Sequence, residues 1–466
     1  MQTCYLAVDI GASSGRHIIG TVEHGVMALH EVYRFENRLI EKNGHLCWDM
    51  EGLVQNVIEG LKAAHDAGYT PTTVGIDTWA VDFLLLDADG TPIGDSVAYR
   101  DGRTAAMREE LEPILPFTKL YARTGIQYQS FNTVYQLCAL KKEHPEQLAA
   151  AKHFLMVPDY LNYRLTGVMA NEYTNASTTA LVGAISKDWD DEIINRLGLP
   201  RKIFGRISTP GTKLGNLSSA VKDYVGFDCT VVLPATHDTG SAFLAVPARD
   251  DKAVYLSSGT WSLLGVENKD PITTPASMQA NFTNEGGYEY RYRILKNIMG
   301  LWMMQSVRRE WDKRFSFAEI CDAAKAADIS SVVDCQDAAF LAPDSMIDAI
   351  KDACRRTGQA VPETVGEIGA VIYNSLAVCY RDAVKELEAL TGITYDAIHI
   401  VGGGSKDEYL NELTAKATGK PVFAGPTEAT ALGNLLTQMI TAGALSDLTA
   451  ARHSVKAAFP ITVFEP

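Results

Sequence analysis

The chain opens on short apolar runs separated by small-residue turns: "YLAVDI", then "GASSG", then "RHIIGTVE", then "HG", then "VMALHEVYRF". Runs of that length, bounded by Gly, Ser and His-Gly, predict three consecutive antiparallel strands. After "HLCWDM" the period lengthens, and Leu53, Val54, Val57, Ile58 and Leu61 recur on one helical face. That spacing predicts an amphipathic helix with Asp49 as its cap and Gly68 as its stop. "TVGIDTWAVDFLLLD" then returns to strand and turns at "ADG" into "TPIGDSVAY".

The second half repeats the opening in outline. "AVYLSSGTWSLLGVE" (253–267) has the same strand, small-residue turn and strand as "CYLAVDIGASSGRHIIGTVE", and "IHIVGGGSKDEYLNELTAKATG" reads as a further strand and helix. Such self-similarity points to two related domains. Length agrees, since 466 residues exceed the roughly 250–300 at which a single core stops growing. The pattern is interrupted near "AVPARDD" (245–251), which sets the expected domains at 1–244 and 251–466. The order of three strands, a helix and a strand resembles half of a ribonuclease-H-like fold, so the expected class is α/β.

Composition removes several function classes. With 46% hydrophobic and 21% charged residues the chain has an ordinary globular profile. A formal net charge of −15 repels a phosphate backbone and no Lys/Arg-rich stripe offsets it, so nucleic acid is not an expected partner. The start "MQTCYLAVDIGASSGRH" has no basic n-region. No stretch approaches about 18 consecutive apolar residues, so a cytoplasmic protein without membrane contact is expected. The eight cysteines are scattered singly and read as free, buried thiols, so neither a disulfide framework nor a zinc site is expected.

The turns carry the candidate chemistry. "DIGASSGR" fits neither the Walker nor the dinucleotide fingerprint, and it lies between two strands instead of opening a helix. A tight hairpin with Gly11 and Gly15 can nevertheless aim backbone N–H groups and the Ser13 and Ser14 hydroxyls at an anion, with Arg16 as a charged donor. Taken alone it reads equally as a structural hairpin. A second turn, "SSGT" at 257–260, and a third, "VGGGSKD", between strand and helix, shift the reading toward a nucleotide.

Five stretches, "DIGASSGR", "PDYLNYRLTG", "NEYTNASTT", "ATHDTGSA" and "VGGGSKDEYLNELTAKATGKPV", resemble the signature segments of the FGGY carbohydrate kinases, in the family's order and over essentially the whole chain. Within that family, "GIDTWAVDF", "AYRDGRT", "LSSGTWSLLG", "FTNEGG" and "LKNIMGLWMMQ" are most similar to the branch acting on L-rhamnulose. The resemblance implies two actin- and hexokinase-like domains around a central cleft, with ATP, Mg²⁺ and a small ketose as ligands. It implies transfer of phosphate to L-rhamnulose, giving L-rhamnulose 1-phosphate in rhamnose breakdown. Another ketose such as L-fuculose or L-xylulose remains an alternative, as does a non-catalytic actin-like nucleotide switch. Monomer and homodimer both stay open.

By the same resemblance, Ala12, Ser13, Ser14, Gly15 and Arg16 cradle the ATP phosphates, Thr260 contacts phosphate from the second domain, and Gln305 and Gly403 belong to the nucleotide site. Asp9 would hold Mg²⁺, chiefly through water, because a hard cation that keeps several waters needs only one or two carboxylates. Asp238 in "THDTG" would be the catalytic base. Composition does not single it out from the 57 acidic residues; the family pattern does. A base aimed at a sugar argues against the nucleotide switch.

His237 and Thr239 would line the sugar pocket, though a satisfied histidine beside a helix and a helix cap are the alternative readings. Asn297 would touch substrate. Trp79 and Asp82 would face the ketose, or else be a core indole and a solvated strand carboxylate. Ala80 stands where that branch often has glycine, so its β-carbon is expected to crowd a backbone contact to the sugar.

Overall fold

In the computed structural model, which describes residues 3–23, 26–248, 250–341 and 343–466, the first apolar run forms a strand, Cys4–Ile10, that is buried at every position. Burial on both faces is what a central strand requires. The next two runs form Ser14–Glu23 and Val26–Glu36, antiparallel to it and to each other. In the first hairpin Asp9 lies opposite Arg16 and Ile10 opposite Gly15, and the Gly11 N–H donates to the Ser14 carbonyl at 2.9 Å.

The helix forms as Met50–Asp66, with the Asp49 carboxylate accepting from the Gly52 N–H and Gly68 at φ +88° beyond its end. Its buried face carries Leu53, Val54, Val57 and Leu61, while Ile58 sits half-buried at the margin. The helix leads into Thr73–Thr78, which runs parallel to Cys4–Ile10 and sets Asp77 beside Asp9. Thr230–Val232 and Lys213–Asn216 complete a six-stranded mixed sheet on that side.

"TVGIDTWAVDFLLLD" is not one strand. It divides into Thr73–Thr78 and Phe83–Leu86, which belong to different sheets, and Val81 between them sits at φ +70°. A β-branched residue in the left-handed region is strained. Its carbonyl is held by the Thr133 hydroxyl at 2.7 Å and the Gln136 amide at 3.3 Å.

The residues form two compact units, and the division is not a single cut. One unit comprises Met1–Ala245, Glu267–Ile294 and Ala429–Ala458, the other Val246–Val266, Leu295–Glu428 and Phe459–Pro466. The boundaries 1–244 and 251–466 do not foresee the two returns. The helix Ala429–Thr441 joins the first unit through buried amides: Gln438 donates to the Leu6 carbonyl at 2.9 Å and accepts from Thr73 at 2.6 Å, and Asn434 donates to the Gly75 carbonyl at 3.0 Å. Gly433 brings this helix against Asp238–Leu244. A β-carbon there would lie 1.8 Å from the Ser241 carbonyl oxygen, so only glycine allows the approach.

In the second unit the repeated hairpin forms as Ala253–Ser258 and Ser262–Asn268, with Ser258 opposite Ser262. Ala397–Val401 lies parallel to its first strand, followed by Val422–Ala424 and the antiparallel Thr462–Phe464. The long helix Val365–Thr391 starts at a capping box made by Thr364 and Glu367. No helix among the described residues is long and apolar enough to cross a membrane.

His17, on the second strand, gives the fold a measurable acid weakness. Its ring is fully buried and Nε2 donates to the Val57 carbonyl at 3.0 Å, while burial holds its pKa down at about 4. A folded pKa below the unfolded 6.5 means the contribution is complete above pH 6.5 and disappears as pH falls through 4. The loss expected is about 3 kcal/mol. Urea unfolding of the parent and of His17→Gln between pH 7 and 4 should give curves that converge by that amount; parallel curves would refute it.

Candidate active site

In the first unit the site is built at the ends of adjacent strands. Arg16, Asp9 and Asp77 occupy one rung across three strands. The Arg16 guanidinium donates to Asp9 Oδ2 at 2.6 Å. Asp77 is fully buried; Asn434 donates to its Oδ2 at 2.6 Å, and its Oδ1 has no hydrogen-bond partner. Burial first, and then the charge of Asp9, push the Asp77 carboxyl well above the usual range. Sequence reasoning passed over Asp77, although the parallel pairing of "AVDI" with "GIDT" was the signal for it.

The turn Gly11–Ser14 projects from that rung. Ser13 is exposed, Ala12 and Ser14 are half-exposed and Gly15 is buried. Asn37 braces the turn from behind, its side chain donating to the Gly11 carbonyl and its backbone N–H to the Ser13 carbonyl, each at 3.0 Å. This leaves the outward edge of the turn open, as an anion cradle requires.

The loop 236–239 reaches the same end of the sheet. The Thr78 N–H donates to the Thr236 carbonyl at 2.9 Å, and Glu172 fixes Thr236 through its N–H at 3.1 Å and its hydroxyl at 2.7 Å. The Thr174 hydroxyl accepts the His237 N–H at 3.2 Å. Thus "NEYTNASTT" serves as the bracket for "THDTG". His237 takes the N-cap position of the helix Asp238–Leu244, and Thr239 is not its cap.

Asp238 Oδ1 accepts from the Thr239 N–H at 2.5 Å and its hydroxyl at 3.0 Å, with His237 Nε2 at 3.5 Å. The side chain remains 33% exposed. One carboxylate oxygen is therefore held, while a third of the side chain stays accessible. His237 itself is buried, with Nδ1 accepting from Arg293 Nη2 at 3.0 Å and lying 3.3 Å from Glu285 Oε2, with which it makes no hydrogen bond.

Trp79 and Asp82 are both buried, at 6% and 1% exposure. The Asp82 carboxylate is taken up by protein donors: Trp48 Nε1 at 2.6 Å, Trp79 Nε1 at 3.0 Å and the Tyr99 N–H at 3.1 Å on Oδ2, and Gln136 at 2.9 Å on Oδ1. It is neither a solvated strand residue nor a free acceptor; it holds two indoles whose ring centroids are 4.1 Å apart. Burial raises its pKa against those four donors. Ala80 is half-buried beside this pair. Trp48, Tyr99 and Gln136 were not anticipated from sequence.

In the second unit Thr260, Gln305 and the Gly403 segment gather around the second turn. The Thr260 hydroxyl donates to Gln305 Oε1 at 3.4 Å, and the Trp302 N–H donates to the Thr260 carbonyl at 3.0 Å. The glycines beside Gly403 press on Ser258: β-carbons at Gly402 and Gly404 would lie 2.9 Å from its carbonyl oxygen and 2.0 Å from its hydroxyl. Gly403 itself has open space. Asn297 lies in this unit, half-buried on the strand Tyr292–Ile298.

Comparison with known proteins adds to this geometry. The N-terminal domain of the FGGY family of carbohydrate kinases matches residues 4–245, and its C-terminal domain matches 254–442. The chain is 49% identical to the rhamnulokinase of Oceanobacillus iheyensis over 100% of its own length and 98% of that protein's. It is 50% identical to that of Halalkalibacterium halodurans, over 98% and 97%. Its fold matches the gluconate kinase of Lactobacillus acidophilus (TM-score 0.85, 17% identity, 100% and 94% covered). It also matches Plasmodium falciparum glycerol kinase with ADP (TM-score 0.82, 15% identity, 100% and 94% covered).

Proposed function

The chain belongs to the FGGY family of carbohydrate kinases, and from that premise we propose that it transfers the γ-phosphoryl group of ATP to the 1-hydroxyl of L-rhamnulose. The sugar preference rests on its extended similarity to proteins named rhamnulokinase. The base is Asp238. The observation that carries this assignment is its divided carboxylate, with Oδ1 held by Thr239 and the side chain still one-third exposed.

An ionised carboxylate at neutral pH can align the sugar hydroxyl and accept its proton as attack proceeds. In the transfer, the O1–P bond forms, the bond from phosphorus to the bridging oxygen of ATP breaks, the hydroxyl proton passes to Asp238 and ADP leaves. Positioning and charge neutralisation supply most of the acceleration in such reactions. Ala12, Ser13, Ser14, Gly15 and Arg16 would receive phosphate in the first unit. Thr260, Gln305 and Gly403 would serve the nucleotide in the second. Trp79, Ala80, His237, Thr239 and Asn297 would bound the sugar. Asp82 would act on it indirectly, through the indoles it holds.

A hard cation suits the Arg16–Asp9–Asp77 rung, because a buried carboxylate oxygen of Asp77 lacks a partner and Asp9 lies beside it. Asp9, with Asp77 behind it, would hold Mg²⁺, which when bound would offset charge on the phosphates. Arg16 would then exchange its bond to Asp9 for one to phosphate. The reaction belongs in the cytoplasm, where ATP is available.

Incubation with ATP, Mg²⁺ and L-rhamnulose should give a phosphate monoester whose phosphorus couples to the C1 protons in ³¹P NMR. A product esterified elsewhere, or none, would refute the assignment.

A further inference from the structure

A fully buried arginine stands behind the loop that carries Asp238. Arg293 has no exposed surface, and its Nε donates to the Gly286 carbonyl at 3.0 Å. Nη1 lies 3.2 Å from Glu285 Oε2, and Nη2 lies 3.0 Å from His237 Nδ1. Burying a guanidinium is costly unless it is paired, and Glu285 is the group that compensates it. Arg293 in turn holds the Glu285 carboxyl below its ordinary range, against its burial. This ion pair therefore keeps a fixed positive donor aimed at one nitrogen of one histidine.

We infer that Arg293 is a positioning residue for the phosphoryl transfer: it sets His237 in the tautomer that carries its proton on Nε2 and so keeps an N–H turned toward Asp238. A guanidinium only donates and does not lose its proton at accessible pH, so the nitrogen facing it must be the acceptor. Nδ1 is that nitrogen, and the ring proton is left on Nε2. Nε2 is the atom 3.5 Å from Asp238 Oδ1, at the outer limit of hydrogen bonding. The Thr239 donors hold Oδ1, and a proton on Nε2 adds an electrostatic attraction to the same oxygen, leaving Oδ2 as the proton-accepting oxygen. The opposite tautomer would aim a lone pair at the Asp238 carboxylate and a proton at the guanidinium; Glu285 Oε2, 3.3 Å from Nδ1, is the one group that favours it, and it makes no hydrogen bond to that nitrogen, whereas the guanidinium does. The sequence separates Arg293 from His237 by 56 positions, and "YRYRILKN" gives no local sign that this arginine is buried.

The inference rests on Asp238 being the base, and the tests separate the two claims. In ¹⁵N-histidine-labelled parent protein, the His237 signals, identified by their loss in His237→Asn, should show the proton on Nε2 alone at pH 7. A proton on Nδ1, in a neutral ring or an imidazolium, overturns the inference, and this reading needs no Arg293 variant to fold. Kinetically, Arg293→Lys keeps the charge and loses the planar fork. It should lower kcat about tenfold or more, with KM for ATP within twofold, as expected when an interaction acts chiefly in the transition state. In a His237→Ala background the same substitution should change kcat by less than twofold. A folded Arg293→Lys enzyme within twofold of the parent, or losses that simply multiply in the double variant, overturns it. Near-parental turnover in Asp238→Asn would remove the base while leaving the tautomer result intact.

Discussion

Asp238→Asn is expected to lower kcat by about 10²–10⁴-fold, some 3–5 kcal/mol of barrier, while ATP affinity stays within a few-fold. The asparagine keeps the size of the side chain, and its amide oxygen can still accept from the Thr239 N–H and hydroxyl that hold Oδ1. What it lacks is the ability to take the proton. Stability should hardly change, because a third of this side chain is exposed and the hydrogen bonds that anchor it come from its neighbour Thr239. Single-turnover rates and nucleotide titration of a variant melting with the parent check the expectation. An Asp238→Asn enzyme within fivefold of the parent would take the residue out of the mechanism.

Asp9→Asn should fail in a different way. The substitution removes one negative charge from the rung shared with Arg16 and Asp77, so the apparent Mg²⁺ requirement should rise about 10–100-fold, the range seen when a metal site loses a supporting group. It also releases Arg16 from its 2.6 Å bond, so affinity for metal-free ATP should not fall. Asp77 would feel the change as well, since the charge of Asp9 is the second cause, after burial, of its raised pKa. Titrating Mg²⁺ at fixed ATP gives the half-saturating concentration for parent and variant. An unchanged requirement would remove Asp9 from the cation site.

The contrast between these residues explains what the sequence could disclose. The Gly11–Arg16 hairpin and the helix capped by Asp49 were legible because their determinants are local: a period of two, a period near 3.6, a capping side chain three residues from its donor. The likeness between residues 253–267 and the opening was also local, and both stretches are hairpins. Asp82 was misjudged in chemistry because its donors come from Trp48 and Gln136, 34 and 54 positions away. Glu172 reaches Thr236 across 64 positions, and Thr73 reaches Gln438 across 365. Periodicity carries no record of such pairings. The same distance hid the return of Ala429–Ala458 to the first unit.

Selectivity between sugars tests the central claim most directly. Release of ADP by the parent protein with Mg²⁺ should be measured against L-rhamnulose, L-fuculose, L-xylulose and D-xylulose. The account predicts kcat/KM at least about tenfold higher for L-rhamnulose than for any other, a difference of about 1.4 kcal/mol in transition-state stabilisation. A tenfold preference for L-fuculose or either xylulose would contradict the substrate, and ADP release that no sugar stimulates would contradict the kinase.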